Sequence, residues 1–173
     1  MKSYEKEAYV KRYWLTPSAI ILTLAAGGQL ILAFCLYDAH GEIPMIRDAG
    51  WRILLVSAVF GWLPILTFRR KGGVKGRGYI NTTILVDSGL YRIVRHPQYV
   101  AGILLNIALP MITQHWSVLL SGLTALTVYR SDAIEEEKSN IEKFGEEYKR
   151  YMERVPRFNF IAGIFRYLRS GKN

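Results

Sequence analysis

The side chains best suited to chemistry are concentrated in the segment LYRIVRHPQY, at positions 90–99. Pro97 is a favourable first residue for a helix, and a helix start leaves free N–H groups that attract an anion. The two arginines of the segment add positive charge, and its two tyrosines offer aromatic faces to a purine or a cation. The segment therefore predicts a ligand site, with an interfacial belt of tyrosine and arginine as the plainer alternative.

A second group of polar side chains, Glu135, Glu136 and Glu137, follows the last apolar run of the chain. Carboxylates at a membrane edge are costly unless they are paired or bound to a cation. A cationic group on a ligand would satisfy them. The alternative is a solvated helix start, where acidic residues are favourable.

Other kinds of site are disfavoured by the residues present. His96 has no second ligand at helical spacing and Cys35 is the single cysteine, so we expect neither a metal site nor a disulfide. The basic loop RRKGGVKGRG (69–78) lacks the P-loop pattern, and it either sets the membrane topology or binds anionic headgroups. We expect no nucleic-acid binding, because the chain has no reader motif and topology accounts for its charge.

The helices that position these polar side chains must form from long uncharged runs of the chain. The 173-residue chain is 50% hydrophobic yet carries a net charge of +9, and the apolar and charged residues are segregated along it. A helix that spans a membrane needs about 20 apolar residues. We therefore predict an all-α integral membrane bundle, a single domain over residues 1–173 with about four transmembrane helices. The predicted spans are 17–37, 51–68, 98–113 and 115–131, of which the last two are short for a full crossing.

The distribution of lysine and arginine predicts the orientation of the bundle. Residues 69–97 carry seven and residues 138–173 carry nine, whereas residues 38–50 carry one. Because cationic segments stay in the cytoplasm, we expect both termini to be cytoplasmic, together with the parts 69–97 and 132–173. The last part is predicted to be helical, with an interruption at Gly145 and a basic amphipathic tail that suits a membrane surface.

The segments TTILVDSGLYRIVRHPQYVAGILL (82–105) and EEEKSNIEKFGEEYKRYMERVPRF (135–158) resemble the C-terminal half of the isoprenylcysteine carboxyl methyltransferase family. That family is similar to the membrane phospholipid methyltransferases. The resemblance implies S-adenosylmethionine as cofactor and a lipidic or lipid-linked methyl acceptor. The cofactor-binding residues that it implies by position are Thr83, Ile84, Leu85, Val86, Tyr91, His96, Pro97, Tyr99 and Glu136.

Physical reasoning suggests roles for these residues. The helix start at Pro97 suits the carboxylate of the cofactor, the tyrosines suit adenine or sulfonium, and Glu136 suits the ammonium group. Glu137 lies about 100° round the same helix, and we expect its replacement to weaken cofactor binding less. An amine acceptor must lose a proton, for which His96 or a tyrosine is the candidate base, whereas a carboxylate or thiolate acceptor needs none.

One position departs from the family pattern. The eukaryotic prenylcysteine enzymes look to have an arginine four residues before the cofactor glutamate, and this chain has Asp132 there. The nearest arginine is Arg130, which is our candidate for the substrate side. The departure places a prenylcysteine carboxylate acceptor in doubt and leaves the implied cofactor site intact.

Two further functions stay open. NADPH-dependent membrane reductases of the sterol-reductase type resemble the chain in the RHPxY segment, but the FGEEY segment and the acidic triplet favour a sulfonium and ammonium ligand. A non-enzymatic membrane organiser is the other alternative, and it would bind neither cofactor.

Overall fold

A computed structural model describes residues 17–37, 43–72 and 84–170 of the chain. Within these ranges the regular structure is entirely helical, which confirms the all-α prediction. The α-helices are α1 (Pro17–Cys35), α2 (Pro44–Lys71), α3 (Pro97–Thr113), α4 (Trp116–Phe144), α5 (Glu146–Arg154) and α6 (Phe160–Ser170), and a short 3₁₀ helix covers Gly89–Arg92.

Proline and glycine set several helix limits. Each of α1, α2 and α3 begins at a proline, which suits the first helical position because the N–H that proline lacks has no intrahelical partner there. Gly145 separates α4 from α5 with a φ of 58°, a left-handed value that glycine adopts without strain. The interruption predicted at Gly145 is therefore confirmed.

Two helices extend beyond their predicted limits. α2 begins at Pro44 rather than at residue 51, and Arg47 and Asp48 lie within it. α4 continues to Phe144, well past the predicted span end at residue 131. Charged side chains are compatible with a helix, so the change from apolar to charged sequence marks a change of surroundings and not the end of the helix.

Among the helices of the described ranges, α1 and α2 are long and apolar enough to cross a membrane by length and composition. α3 is also apolar, but its 17 residues make it shorter. The predicted total of four spans and the cytoplasmic placement of the C-terminal extension remain predictions.

The chain divides into two compact units. Among the described residues, the first consists of 17–37, 43–52 and 106–132, and the second of 53–72, 84–105 and 133–170. In the first unit Gln29, which is 1% exposed, donates from Nε2 to the Val118 carbonyl oxygen at 3.1 Å. Helix backbones approach closely beside it, since a Cβ at Gly122 would lie 3.3 Å from the Asn106 carbonyl oxygen. Neutral hydrogen bonds and small residues are the usual means of joining helices in an apolar environment.

The predicted break in PMITQHWS lies at Gln114 and His115, between α3 and α4. Gln114 has a φ of 50°, and its side-chain amide both donates to the carbonyl and accepts from the N–H of Ile43, each at 3.0 Å. His115 accepts the N–H of Ser117 at Nδ1 over 3.2 Å. Its ring thus satisfies one of the free N–H groups at the start of α4.

The second unit places the segment 93–96 against the C-terminal part of the chain. The N–H of Arg95 donates to the Pro156 carbonyl at 3.0 Å, and the N–H of His96 donates to the Arg157 carbonyl at 3.3 Å. A Cβ at Gly163 would lie 1.8 Å from the Ile93 carbonyl oxygen, so only glycine allows α6 to approach this closely. These contacts hold the predicted ligand segment rigidly in its unit.

Candidate functional site

A cavity of about 70 Å³ lies within the second unit, between the end of α2, the segment before α3, the later part of α4 and α5. This volume is below the roughly 300–1,000 Å³ of a pocket that holds a whole drug-sized ligand. A cavity of this size can enclose a small charged group but not a whole ligand of that size. The lining residues are Phe68, Leu85, Val86, Tyr91, Arg95, His96, Glu136, Asn140, Phe144, Tyr148 and Tyr151.

Five of the nine predicted cofactor residues lie together along this cavity. They are Leu85, Val86, Tyr91, His96 and Glu136. Pro97 is buried as the first residue of α3, and the Tyr99 ring centroid lies 5.4 Å from that of His96, but neither residue lines the cavity. Ile84 is 57% exposed, and Thr83 lies outside the described residues.

Arg130, the candidate for the substrate side, is exposed on α4 and is absent from the cavity lining. Phe144, Tyr148 and Tyr151 do line it, although the sequence placed them only on the apolar face of a C-terminal helix. Their aromatic type at helical spacing was the available signal. The spacing alone did not distinguish a face that packs in a core from one that borders a ligand site.

A buried cluster of charges lies beside the cavity and is centred on Glu137, whose side chain is 4% exposed. Arg157 donates to both carboxylate oxygens, from Nε to Oε1 at 3.0 Å and from Nη2 to Oε2 at 2.6 Å. Arg95 Nη2 lies 3.3 Å from Oε1, and His96 Nε2 lies 3.1 Å from the same oxygen. Paired arginines of this kind are what makes a buried carboxylate tolerable.

The cluster shifts the pKa values of its members in opposite directions. Burial opposes the charged form of Glu137, but hydrogen bonds from His96 and Arg157 and the charge of Arg95 outweigh it and lower its pKa to about 2. Burial likewise disfavours the charged form of His96, yet hydrogen bonding and charge from Glu136 and Glu137 prevail, and its pKa is raised above 6.5. Both shifts favour an imidazolium held between two carboxylates.

Glu136 and Glu137, which are neighbours on α4, differ in exposure and in the groups that they contact. Glu136 is 40% exposed at its side chain, lines the cavity, and places Oε2 3.6 Å from His96 Nδ1. Glu137 points into the charge cluster. The expectation that Glu137 contributes less than Glu136 to cofactor binding stays a prediction, but its replacement is expected to weaken the fold, because buried cations would lose their counter-ion.

Arg95 is the least satisfied member of the cluster. Its side chain is 9% exposed, and it also lines the cavity. Its Nε and Nη1 atoms are buried with no hydrogen-bond partner among the described residues. Leaving a buried charged donor unpaired is costly, so Arg95 retains two nitrogen donors that an anionic partner would satisfy.

Two phenols complete the wall of the cavity. Asn140 Nδ2 donates to Tyr148 Oη at 3.4 Å, and Tyr151 Oη donates to the Tyr91 carbonyl oxygen at 2.7 Å. Burial raises the pKa of Tyr148 to about 12 and also raises the pKa of Tyr151. Both phenols therefore stay neutral near pH 7 and supply polar edges and aromatic faces.

In the part of the chain that the structure describes, the fold is all-helical, two helices are long and apolar enough to cross a membrane, and a small cavity has a cationic and an anionic edge. The chain belongs to the phospholipid methyltransferase family, whose model matches residues 49–147, more than half of the chain. The matched range contains the segment before α3 and most of the cavity lining.

Individual relatives agree with this placement. The chain is 38% identical over 86 residues to protein-S-isoprenylcysteine O-methyltransferase from Mus musculus and to the protein of that name from Homo sapiens. The match covers 49% of this chain and 30% of each relative, so the chain spans about a third of the length of those proteins. No solved structure matches the chain.

Proposed function

We propose that the protein is a membrane-embedded methyltransferase that uses S-adenosylmethionine and acts on a lipidic or lipid-linked acceptor. The observation that supports this best is the pairing of opposite charges in one small cavity. Arg95 offers two unpartnered N–H groups, and Glu136 offers a carboxylate. The α-amino-acid end of S-adenosylmethionine carries the complementary carboxylate and ammonium groups, and its size is compatible with a small enclosed volume.

The residues of the cavity fit the cofactor in other respects. Bound S-adenosylmethionine supplies an electrophilic methyl group on a sulfonium. Tyr91, Tyr148 and Tyr151 present aromatic surface to a cationic or heteroaromatic group. His96, held by the two glutamates, keeps Glu136 in place beside the cavity. In this assignment Arg95 replaces the helix start at Pro97 as the partner of the carboxylate.

The same geometry favours an acceptor that is a nucleophile without help from the enzyme. An imidazolium with a carboxylate near each ring nitrogen is a poor proton acceptor, and Tyr148, with a pKa of about 12, remains protonated. A carboxylate or thiolate acceptor needs alignment and exclusion of water more than a base, whereas an amine needs one. We therefore propose a carboxylate or thiolate acceptor, with Arg130 on the substrate side.

We also propose that the chain crosses the membrane about four times with both termini in the cytoplasm. The supporting observations are the apolar lengths of α1 and α2 and the excess of lysine and arginine in 69–97 and 138–173. Labelling of a cysteine introduced at Gly76, in a Cys35→Ala background, is expected only from the cytoplasmic face. Labelling only from the opposite face would overturn this topology.

The decisive experiment compares Arg95→Gln with Arg157→Gln in the detergent-purified full chain. Both variants remove one charge that contacts Glu137, but only Arg95 lines the cavity. Arg95→Gln is expected to weaken S-adenosylhomocysteine binding by about 1.5–3 kcal/mol, roughly tenfold to a hundredfold. Arg157→Gln is expected to lower stability more than affinity. Calorimetric titration measures the affinity and thermal unfolding measures the stability.

A second ligand tests whether Arg95 contacts the carboxylate of the cofactor. Decarboxylated S-adenosylhomocysteine retains the ammonium group, so Arg95→Gln should not change its affinity, whereas Glu136→Gln should weaken both ligands. Equal losses for both ligands in Arg95→Gln would show that the arginine acts only through the fold. Tight binding of NADPH without S-adenosylhomocysteine would favour a reductase, and binding of neither would favour the membrane organiser.

A further inference from the structure

A second and larger cavity, of about 470 Å³, lies in the same unit between the segment before α3, the end of α5 and α6. Three arginines and two acids line it together with two aromatic rings, namely Arg92, Arg154, Arg166, Asp87, Glu153, Tyr151 and Tyr167. None of these three arginines belongs to the cluster around Glu137. The proposed methyl transfer does not use this cavity.

The arginines of this cavity retain donors for a ligand. The guanidinium of Arg92 lies over the Tyr167 ring at 5.3 Å. Within the described ranges Arg154 uses only its Nε, which donates to the Arg150 carbonyl oxygen at 3.3 Å. Among the described residues no ion pair joins Arg92, Arg154 or Arg166 to an acid. Converging guanidinium groups are the usual protein partners of phosphate oxygens.

The balance of charge narrows the class of ligand. Three positive and two negative side chains line the cavity, so a single phosphodiester is a better match than a polyanion such as a nucleic acid. A phosphodiester that carries one negative charge is the linking group of a phospholipid head.

α6 carries a second and independent feature that points to lipid. Its residues Ile161, Ile164, Phe165 and Leu168 follow one helical face and are 57%, 40%, 64% and 57% exposed. Gly163, on the opposite side, is buried against Ile93, which holds this apolar face away from the unit. A helix with an exposed apolar face and flanking arginines is typical of one that lies in a membrane interface.

We propose that this cavity binds the headgroup phosphate of an anionic phospholipid while the apolar face of α6 enters the surrounding membrane. Arg166 lines the cavity and is a direct neighbour of Phe165 on the exposed face. The same short helix thus brings a phosphate partner and an acyl-chain partner together. The charge complementarity of the cavity selects an anionic lipid over a zwitterionic one.

The test uses two double variants of the detergent-purified full chain that remove the same charge from the same two helices. Arg154→Gln with Arg166→Gln alters the cavity, whereas Arg150→Gln with Arg169→Gln alters exposed arginines outside its lining. Native mass spectrometry measures retention of phosphatidylglycerol against phosphatidylcholine. The wild type is expected to prefer phosphatidylglycerol, and the cavity variant to lose that preference on the order of tenfold relative to the matched control.

Three outcomes would overturn the proposal. The first is equal retention of the two lipids by the wild type. The second is an equal loss in both double variants, which would mean that only general surface charge attracts the lipid. The third is displacement of phosphatidylglycerol by inorganic phosphate at comparable concentration, which would mean a free-phosphate site. Unchanged thermal unfolding of both variants would show that the comparison concerns binding and not folding.

Discussion

The two units of the chain are held together by different chemistry. In the first, the buried polar contact is neutral, from Gln29 to the Val118 carbonyl, and helices approach at glycine positions. In the second, neutral buried contacts such as that of Tyr151 Oη with the Tyr91 carbonyl oxygen occur beside a buried cluster of ions around Glu137. A neutral amide contributes only a weak electric field to its surroundings, whereas a cluster of ions produces a strong one.

This difference separates a structural requirement from a functional one. Joining helices requires only close packing and occasional neutral hydrogen bonds. A buried ion cluster is weak evidence for stability, since its desolvation cost offsets much of its attraction. In this protein the cluster holds Arg95 and His96 at the edge of a cavity. We infer that the second unit bears the cost of desolvation because the ligand requires charges in fixed positions.

The largest expected effect comes from removing the centre of the ion cluster. Glu137→Gln leaves Arg95 and Arg157 without their counter-ion and should lower the free energy of unfolding by about 3–5 kcal/mol. Glu136→Gln, at a side chain that is 40% exposed, should cost far less. Thermal and denaturant unfolding in one detergent measure both. Equal stabilities of the two variants would contradict the comparison between the units.

A smaller effect is expected from pH. The pKa of Glu137 is about 2 against an ordinary 4.5, so its stabilisation is complete above 4.5 and is lost as the pH falls toward 2. The pKa of His96 is raised above 6.5, so its stabilisation is complete below 6.5 and is lost as the pH rises through the folded value. The cluster should therefore stabilise the fold most between pH 4.5 and pH 6.5.

The transition temperature of the wild type should be highest between pH 4.5 and pH 6.5. It should fall as the pH is lowered below 4.5 and as it is raised above 6.5. Glu137→Gln serves as the control and should lose most of the slope on the acid side. A wild-type curve that stays flat from pH 6.5 down to pH 3 would mean that the carboxylate is not held in the ionised form.

The smallest expected effect belongs to the neutral contact of the first unit. Gln29→Leu removes the donor to the Val118 carbonyl, but that oxygen keeps the hydroxyl of Ser121 at 2.9 Å. The loss should therefore be about 0.5–1.5 kcal/mol, with no change in S-adenosylhomocysteine affinity. A loss as large as that of Glu137→Gln, measured by the same unfolding assay, would remove the distinction between the units.

The sequence predicted the elements of the fold better than their limits. Uncharged runs marked the helices, and Pro17 and Gly145 marked a start and an interruption, because proline and glycine act through local backbone geometry. The extension of α2 to Pro44 and the continuity of α4 across residue 131 escaped prediction. A helix can cross from apolar to charged surroundings, and a charge pattern records only the surroundings.

The candidate site was predictable in its residue types but only partly in its geometry. The family resemblance included Glu136 and His96, which line the cavity. The choice between Glu136 and Glu137 for the buried position depends on the rotation of α4 relative to Arg157, which lies 20 residues further along the chain. Local sequence patterns contain no such distant contact, so the central role of Glu137 became visible only in the fold.

Tyr151 lines both cavities, and its hydroxyl donates to the Tyr91 carbonyl oxygen at 2.7 Å. One side chain is thus a common wall between the proposed cofactor site and the proposed lipid site. If occupancy of either cavity shifts this ring, the two binding equilibria are linked, and the linkage must be reciprocal. An anionic lipid that tightens S-adenosylhomocysteine binding by some factor will itself be bound more tightly, by that same factor, once the cofactor product is present.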